Sequence, residues 1–216
     1  MASPSPKIKI CGVTRLSDAE LAVSLGAWAI GMVFDPASPR AIEVEGAAEI
    51  GTALKRRIEL VGVFVNASLD DLVAVAETVP LTAIQLHGDE GPSYCREAGR
   101  RTGLKVIKAL RVRDAATIRA LSAYKTDYHL LDAYVPGRAG GTGERFDWSL
   151  VAEHPDKTPV ILSGGIRPDN VSEAIETVAP FAIDCSSGVE SSPGHKDPDK
   201  LEQLFEAARE AHSTRV

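Results

Sequence analysis

Short β-branched runs alternate with alanine-rich or charge-rich segments of helical spacing along the whole chain, and this alternation limits the fold more than any other feature. The apolar runs are KIKIC (7–11), AWAIGMVF (27–34), LVGVFV (60–65), TAIQLH (82–87), KVIKAL (105–110), YHLLDA (128–133), PVILSG (159–164) and FAIDCS (181–186). Helices are predicted between and after them, at 17–25, 43–56, 69–78, 91–101, 114–123, 147–153, 168–177 and 197–211. Ser68 before LDDL, Asp114 before AATI, and Asp169 and Asn170 after Pro168 are helix-start signals. Eight strand–helix units in 216 residues predict a single-domain α/β chain, a (β/α)8 TIM barrel over residues 7–212. That length lies near the lower end of the roughly 200 to 400 residues usual for the fold. The first six residues, MASPSP, carry two prolines and no apolar run, so they read as a disordered tail and not as a signal peptide. A doubly wound sheet would close with fewer strands and open on a Gly-rich turn, and ICGVTR is no GxGxxG.

Composition narrows the partners. A net charge of −6 disfavours nucleic acid, which needs a dense basic surface to displace counterions. An anionic small molecule would have to be held locally, by backbone N–H groups and helix N-termini. No stretch approaches a membrane span. Cys11, Cys95 and Cys185 are odd in number, far apart and never in CxxC spacing, which argues against a disulfide framework or a metal site and for a reducing, cytoplasmic setting.

In a barrel of this kind the chemistry sits at the C-terminal ends of the strands. Those ends carry Cys11, Phe34 and Asp35, Asn66, His87 with Gly88 and Asp89, Arg111, Asp132, Gly164 and Gly165, and Ser186, Ser187 and Gly188. Side chains alternate faces along a strand, so Cys11 shares the inner face with Lys7 and Lys9, while Ile8 and Ile10 turn toward the helices. Asp132 travels with Leu130 and Tyr128 and points over the barrel mouth. A thiol and a carboxyl then face each other across the width of a small substrate. Taken alone, Cys11 reads as buried filler, because free cysteine is among the most buried residue types. The first and last strands must be neighbours when the barrel closes, and alternation puts Lys9 and Asp184 inside, where they are predicted to pair.

The strongest local signal is the pair LSGGIRPDN (162–170) and DCSSGVE (184–190), after the seventh and eighth strands. Small residues let backbone N–H groups approach an anion, and these two loops are the usual phosphate position of the fold. Gly164, Gly165, Ser186, Ser187 and Gly188 are therefore the expected phosphate contacts, and a phosphosugar is the expected ligand class.

KICGVT, SPR (38–40), VGVFVN, IQLHGDE, LLDA, GGTGERFDW, LSGGIRPDNV and DCSSGVE occur in this order over nearly the whole chain, and together they resemble the phosphoribosylanthranilate isomerase family of tryptophan biosynthesis. The resemblance implies an Amadori rearrangement of N-(5-phosphoribosyl)anthranilate to 1-(2-carboxyphenylamino)-1-deoxyribulose 5-phosphate, with neither metal nor organic cofactor. It implies that Cys11 is the general base and Asp132 the general acid. A thiol acts as base only as thiolate, which nearby cations favour, and Lys9 and Arg15 are the cations nearest in sequence. Asp132, in turn, must hold a proton near neutral pH. Arg40 matches the family position that recognises the anthranilate carboxylate, for which a planar two-pronged donor is suited.

The segment 134–148 is too glycine-rich for a strand and too long for an ordinary turn. A binding loop or lid is expected there, with Gly140, Gly141 and Gly143 bringing backbone near the substrate and Phe146 and Trp148 anchoring its far end. His87 is read as a hydrogen-bonded structural group and not as a further acid or base. Other phosphosugar barrels are the rivals: an epimerase, which would bring metal-binding histidines and acids at several strand ends, or an indole-forming synthase. A barrel that binds a phosphorylated ligand without turning it over is the rival from another class. Oligomeric state stays open, since the outer face of a barrel carries apolar residues in either case.

Overall fold

The computed structural model describes residues 7–133, 146–155 and 157–213. The expected tail at 1–6 lies outside them. Eight parallel strands, β1 (Lys7–Cys11), β2 (Ala29–Val33), β3 (Glu59–Phe64), β4 (Ala83–Leu86), β5 (Lys105–Val112), β6 (Tyr128–Ala133), β7 (Val160–Leu162) and β8 (Ala182–Cys185), pair in chain order and close into a barrel. The predicted barrel is the one observed. Helices α1 (Leu16–Leu25), α2 (Val44–Leu54), α3 (Leu69–Thr78), α4 (Pro92–Thr102), α5 (Ala115–Arg119), α6 (Val171–Val178) and α7 (Pro198–Ser213) surround it. A short antiparallel hairpin, β9 (Glu190–Ser192) and β10 (His195–Lys196), follows β8 at the mouth.

Local signals explain most boundaries. Ser68 accepts from the N–H of Asp71 and Asp114 from that of Thr117, so both caps satisfy donors the helix leaves open. Gly26 and Gly103 end α1 and α4 in left-handed geometry. Asn170 is the residue before α6, yet its side chain makes no cap and braces the preceding loop instead. The expected helix at 147–153 is a 3-10 helix, Trp148–Glu153. Its six residues lie between Asp147, which accepts from Ser149 N–H, and His154, which the following Pro155 holds in extended backbone. Nothing longer fits.

Strand alternation divides the core in two. Ile8 and Ile10 join the large layer between strands and helices, while Cys11, Ala29, Val63, Ile107, Leu130 and Ile161 belong to the barrel interior. Full burial of each such branched side chain contributes about 1.5–3 kcal/mol. The interior is small around β1: Ala29, Gly31 and Ala182 line the neighbouring strands, which leaves room for Lys9. β1 and β8 close the ring with Lys9 opposite Asp184.

Candidate active site

Cys11 ends β1 and Asp132 is the last residue but one of β6, the two strands separated on one side of the ring by β7 and β8. Both are buried, and each shares its face with interior residues, so the ring places both groups at one mouth. Cys11 is pushed up from its ordinary value by burial, against which Lys9 acts as the nearest opposing charge. Asp132 is tied at both oxygens: Oδ1 accepts from Ala133 N–H at 2.9 Å, and Oδ2 lies 3.1 Å from Nε2 of His87. The Nδ1 of His87 lies 2.9 Å from Nε2 of Gln85. Gln85, His87 and Asp132 thus form one hydrogen-bonded row from β4 to β6. His87 is hydrogen-bonded, as expected, and its partner is the carboxyl of Asp132. Arg111, at the end of β5, reaches the His87 carbonyl at 3.4 Å.

Arg40 stands over β1, where a Cβ on Gly12 would strike its side chain. Its guanidinium forks onto Glu190, with Nη2 at 2.7 Å from Oε2 and Nε at 2.9 Å from Oε1. Glu190 also takes Nζ of Lys196 at 2.8 Å, and that same ammonium donates to the Cys11 carbonyl. Burial alone would raise Glu190; its hydrogen bonds from Arg40, with the charge of Lys196, hold it below 4.5. Glu190 and Lys196 escaped the sequence reading. The available signal was the acid at the end of DCSSGVE, directly after the expected phosphate loop.

Loops 7 and 8 meet. Gly164 and Gly165 both take positive φ, +86° and +68°, and a Cβ on Gly164 would collide with the Ala133 backbone and approach Asp132. Asn170 donates to the Gly165 carbonyl and accepts from Arg167 N–H, each at 2.8 Å, which fixes the loop. Ser186 leads into a short 3-10 turn, Ser187–Val189, and a Cβ on Gly188 would run into the Ile166 carbonyl. Gly164, Gly165, Ser186, Ser187 and Gly188 therefore form one half-exposed, backbone-lined shelf beside the mouth. Gly141, with Gly140, Gly143 and the rest of 134–145, lies outside the described residues. Beyond that segment Phe146 and Trp148 pack on the core, as expected of its far end.

A family model described as N-(5'phosphoribosyl)anthranilate (PRA) isomerase matches residues 8–207. The N-(5'-phosphoribosyl)anthranilate isomerase of Citrifermentans bemidjiense is 49% identical over 203 residues, covering 94% of this chain and 97% of that protein. The Pseudomonas fluorescens isomerase is 46% identical, covering 98% and 99%. The crystal structure of phosphoribosyl anthranilate isomerase from Thermotoga maritima superposes with a TM-score of 0.87 at 41% identity, covering 95% of this chain and 99% of that one. A solved isomerase in complex with reduced 1-(o-carboxyphenylamino)-1-deoxyribulose 5-phosphate gives 0.84 at 40% identity, covering 95% and 99%. With the same barrel and a match along nearly its whole length, this chain belongs to the N-(5'-phosphoribosyl)anthranilate isomerase family.

Proposed function

We propose that Cys11 and Asp132 are the proton-transfer pair of the isomerase reaction. As a family member the chain is an isomerase of tryptophan biosynthesis, converting N-(5-phosphoribosyl)anthranilate to 1-(2-carboxyphenylamino)-1-deoxyribulose 5-phosphate. The observation that carries the assignment of roles is the pairing of one thiol and one carboxyl, both buried, at opposite strand ends of a single mouth. Asp132 gives its proton to the ribose ring oxygen as the C–O bond breaks and an iminium forms. Cys11, as thiolate, then takes the proton from the adjacent carbon, and the resulting enolamine tautomerises to the ketone. No atom is gained or lost, which suits a site that only relocates protons.

The two ends of the substrate are assigned by charge. Gly164, Gly165, Ser186, Ser187 and Gly188 receive the phosphate, because small residues there leave backbone N–H groups approachable. Gly141 joins them from the segment outside the described residues. Arg40 receives the anthranilate carboxylate, its guanidinium held in place by the bonds of Nε and Nη2 to Glu190. The catalytic unit is proposed to run over residues 7–212, in the cytoplasm, where a reducing pool keeps Cys11 free of disulfides. Among the described residues no helix is long and apolar enough to cross a membrane.

The test is a fluorescence assay with freshly generated substrate. Cys11→Ala and Asp132→Asn are each expected to lower kcat about 10³-fold or more while leaving the fold intact. A folded Cys11→Ala variant with near-normal turnover removes the thiol from the mechanism.

A further inference from the structure

One buried ion pair lies beside the site and takes no part in the proton transfers above. Lys9 is fully buried, and its ammonium donates to Oδ1 of Asp184 at 2.7 Å. The second oxygen of Asp184 accepts from the Ser163 hydroxyl at 3.2 Å. The pairing expected from strand closure is therefore present. Stability does not account for it, since an apolar pair of equal volume usually serves a core as well or better.

Location does account for it. Lys9 precedes Cys11 by one inward position on β1, and both side chains face the gap left by Gly31 on β2. A Cβ built on Gly31 would lie 2.8 Å from the Cys11 sulfur and 3.1 Å from Nζ of Lys9. Burial pushes the thiol up, and Lys9 is the strongest influence acting against burial. Asp184 raises the thiol again, and Lys196 lowers it. Arg40 and the neutral thiol of Cys185 also lie within electrostatic reach of Cys11. Lys9 itself would be lowered by burial but is raised by Asp184, so it stays an ammonium.

We propose that Lys9 is a positioning residue that favours the thiolate form of the Cys11 sulfur inside the barrel against the burial that opposes it, with Asp184 keeping Lys9 charged and in place. This rests on Cys11 as the base, but it is measured on the sulfur directly. The experiment follows iodoacetamide alkylation of the Cys11 peptide against pH by mass spectrometry. Cys95 and Cys185 are read as separate peptides, and burial pushes them up to about 11 and about 12. Lys9→Met is expected to raise the Cys11 pKa by about one unit, a tenfold smaller thiolate fraction below it. Asp184→Asn is expected to raise it as well, because Asp184 is what keeps the buried Lys9 charged. A purely structural role leaves the thiol pKa of each folded variant unchanged.

Lys9→Met alone leaves Asp184 stranded and is at risk of not folding, so the double variant Lys9→Met/Asp184→Asn removes both charges. Its Cys11 pKa is expected above the wild-type value, because Lys9 outweighs Asp184. An unchanged or lowered thiol pKa in that folded double variant overturns the proposal. The pH profile of kcat/KM separates the two readings. If alkylation shifts while the acid limb of the profile stays fixed, Lys9 governs the thiol as proposed and Cys11 is not the base.

Discussion

Arg40 and Glu190 show how a single side chain is aimed. A lone arginine over a mouth would sample many rotamers; Glu190 holds this one by a fork, and Lys196 balances the acid. Arg40→Lys keeps the charge and loses the fork, so KM for the substrate is expected to rise about tenfold, with kcat less affected. Steady-state kinetics on the purified variant check this. Glu190 is held below its ordinary 4.5, so the stability it lends is complete above that pH and drains away as pH falls through its lower folded value. In Glu190→Gln, the loss of melting temperature between pH 5 and pH 3 is expected to be shallower than in wild type. At this scale Cys11 and Asp132 could be read from the sequence because strand ends announce themselves. The contact of His87 with Asp132 could not, since the two are 45 positions apart and meet only through the ring.

Loops 7 and 8 act as a unit because each closes against the other's backbone. Gly188 has no room for a side chain: a Cβ would meet the Ile166 carbonyl, which cannot swing aside as a flexible side chain does. Gly188→Ala is expected to spread the two loops, weaken phosphate binding and cost about 1–3 kcal/mol of stability. Thermal unfolding with and without inorganic phosphate tests this: wild type gains melting temperature and the variant does not. Periodicity located these elements to within a few residues. It misjudged the segment after β6, where the helical spacing of Trp148–Glu153 is real but the capping Asp147 and Pro155 leave only a 3-10 turn. Asn170 shows a similar limit. Its place before α6 is visible in the sequence, whereas its two bonds into loop 7 depend on how that loop turns.

The whole molecule divides its labour between the two ends of the barrel. At the floor, Trp28, Tyr128 and Phe181 meet edge to face or tilted at 5.2–5.7 Å, with Nζ of Lys7 at 4.8 Å from the Phe181 ring centre. Among the described residues, this plug lies at the opposite end of the strands from the groups assigned to the reaction. Trp28→Ala is expected to lower stability by about 2–3 kcal/mol in urea unfolding, with kcat/KM within twofold of wild type. A large loss of kcat/KM in that variant would mean that floor and mouth are coupled. The sequence by itself determined the number and order of the strands, the inner and outer faces of each, and which residues stand at the strand ends. Those follow from local periodicity and from the rule that a buried face must be apolar. It also determined the seam, because closure forces β1 beside β8 and so Lys9 beside Asp184. Only the tertiary structure decided which polar groups touch at the mouth: His87 on Asp132, and Glu190 between Arg40 and Lys196. His87 and Asp132, and Arg40 and Glu190, are far apart in the chain and meet only through ring closure, while the missing side chain of Gly31 makes the space that Lys9 and the Cys11 sulfur share.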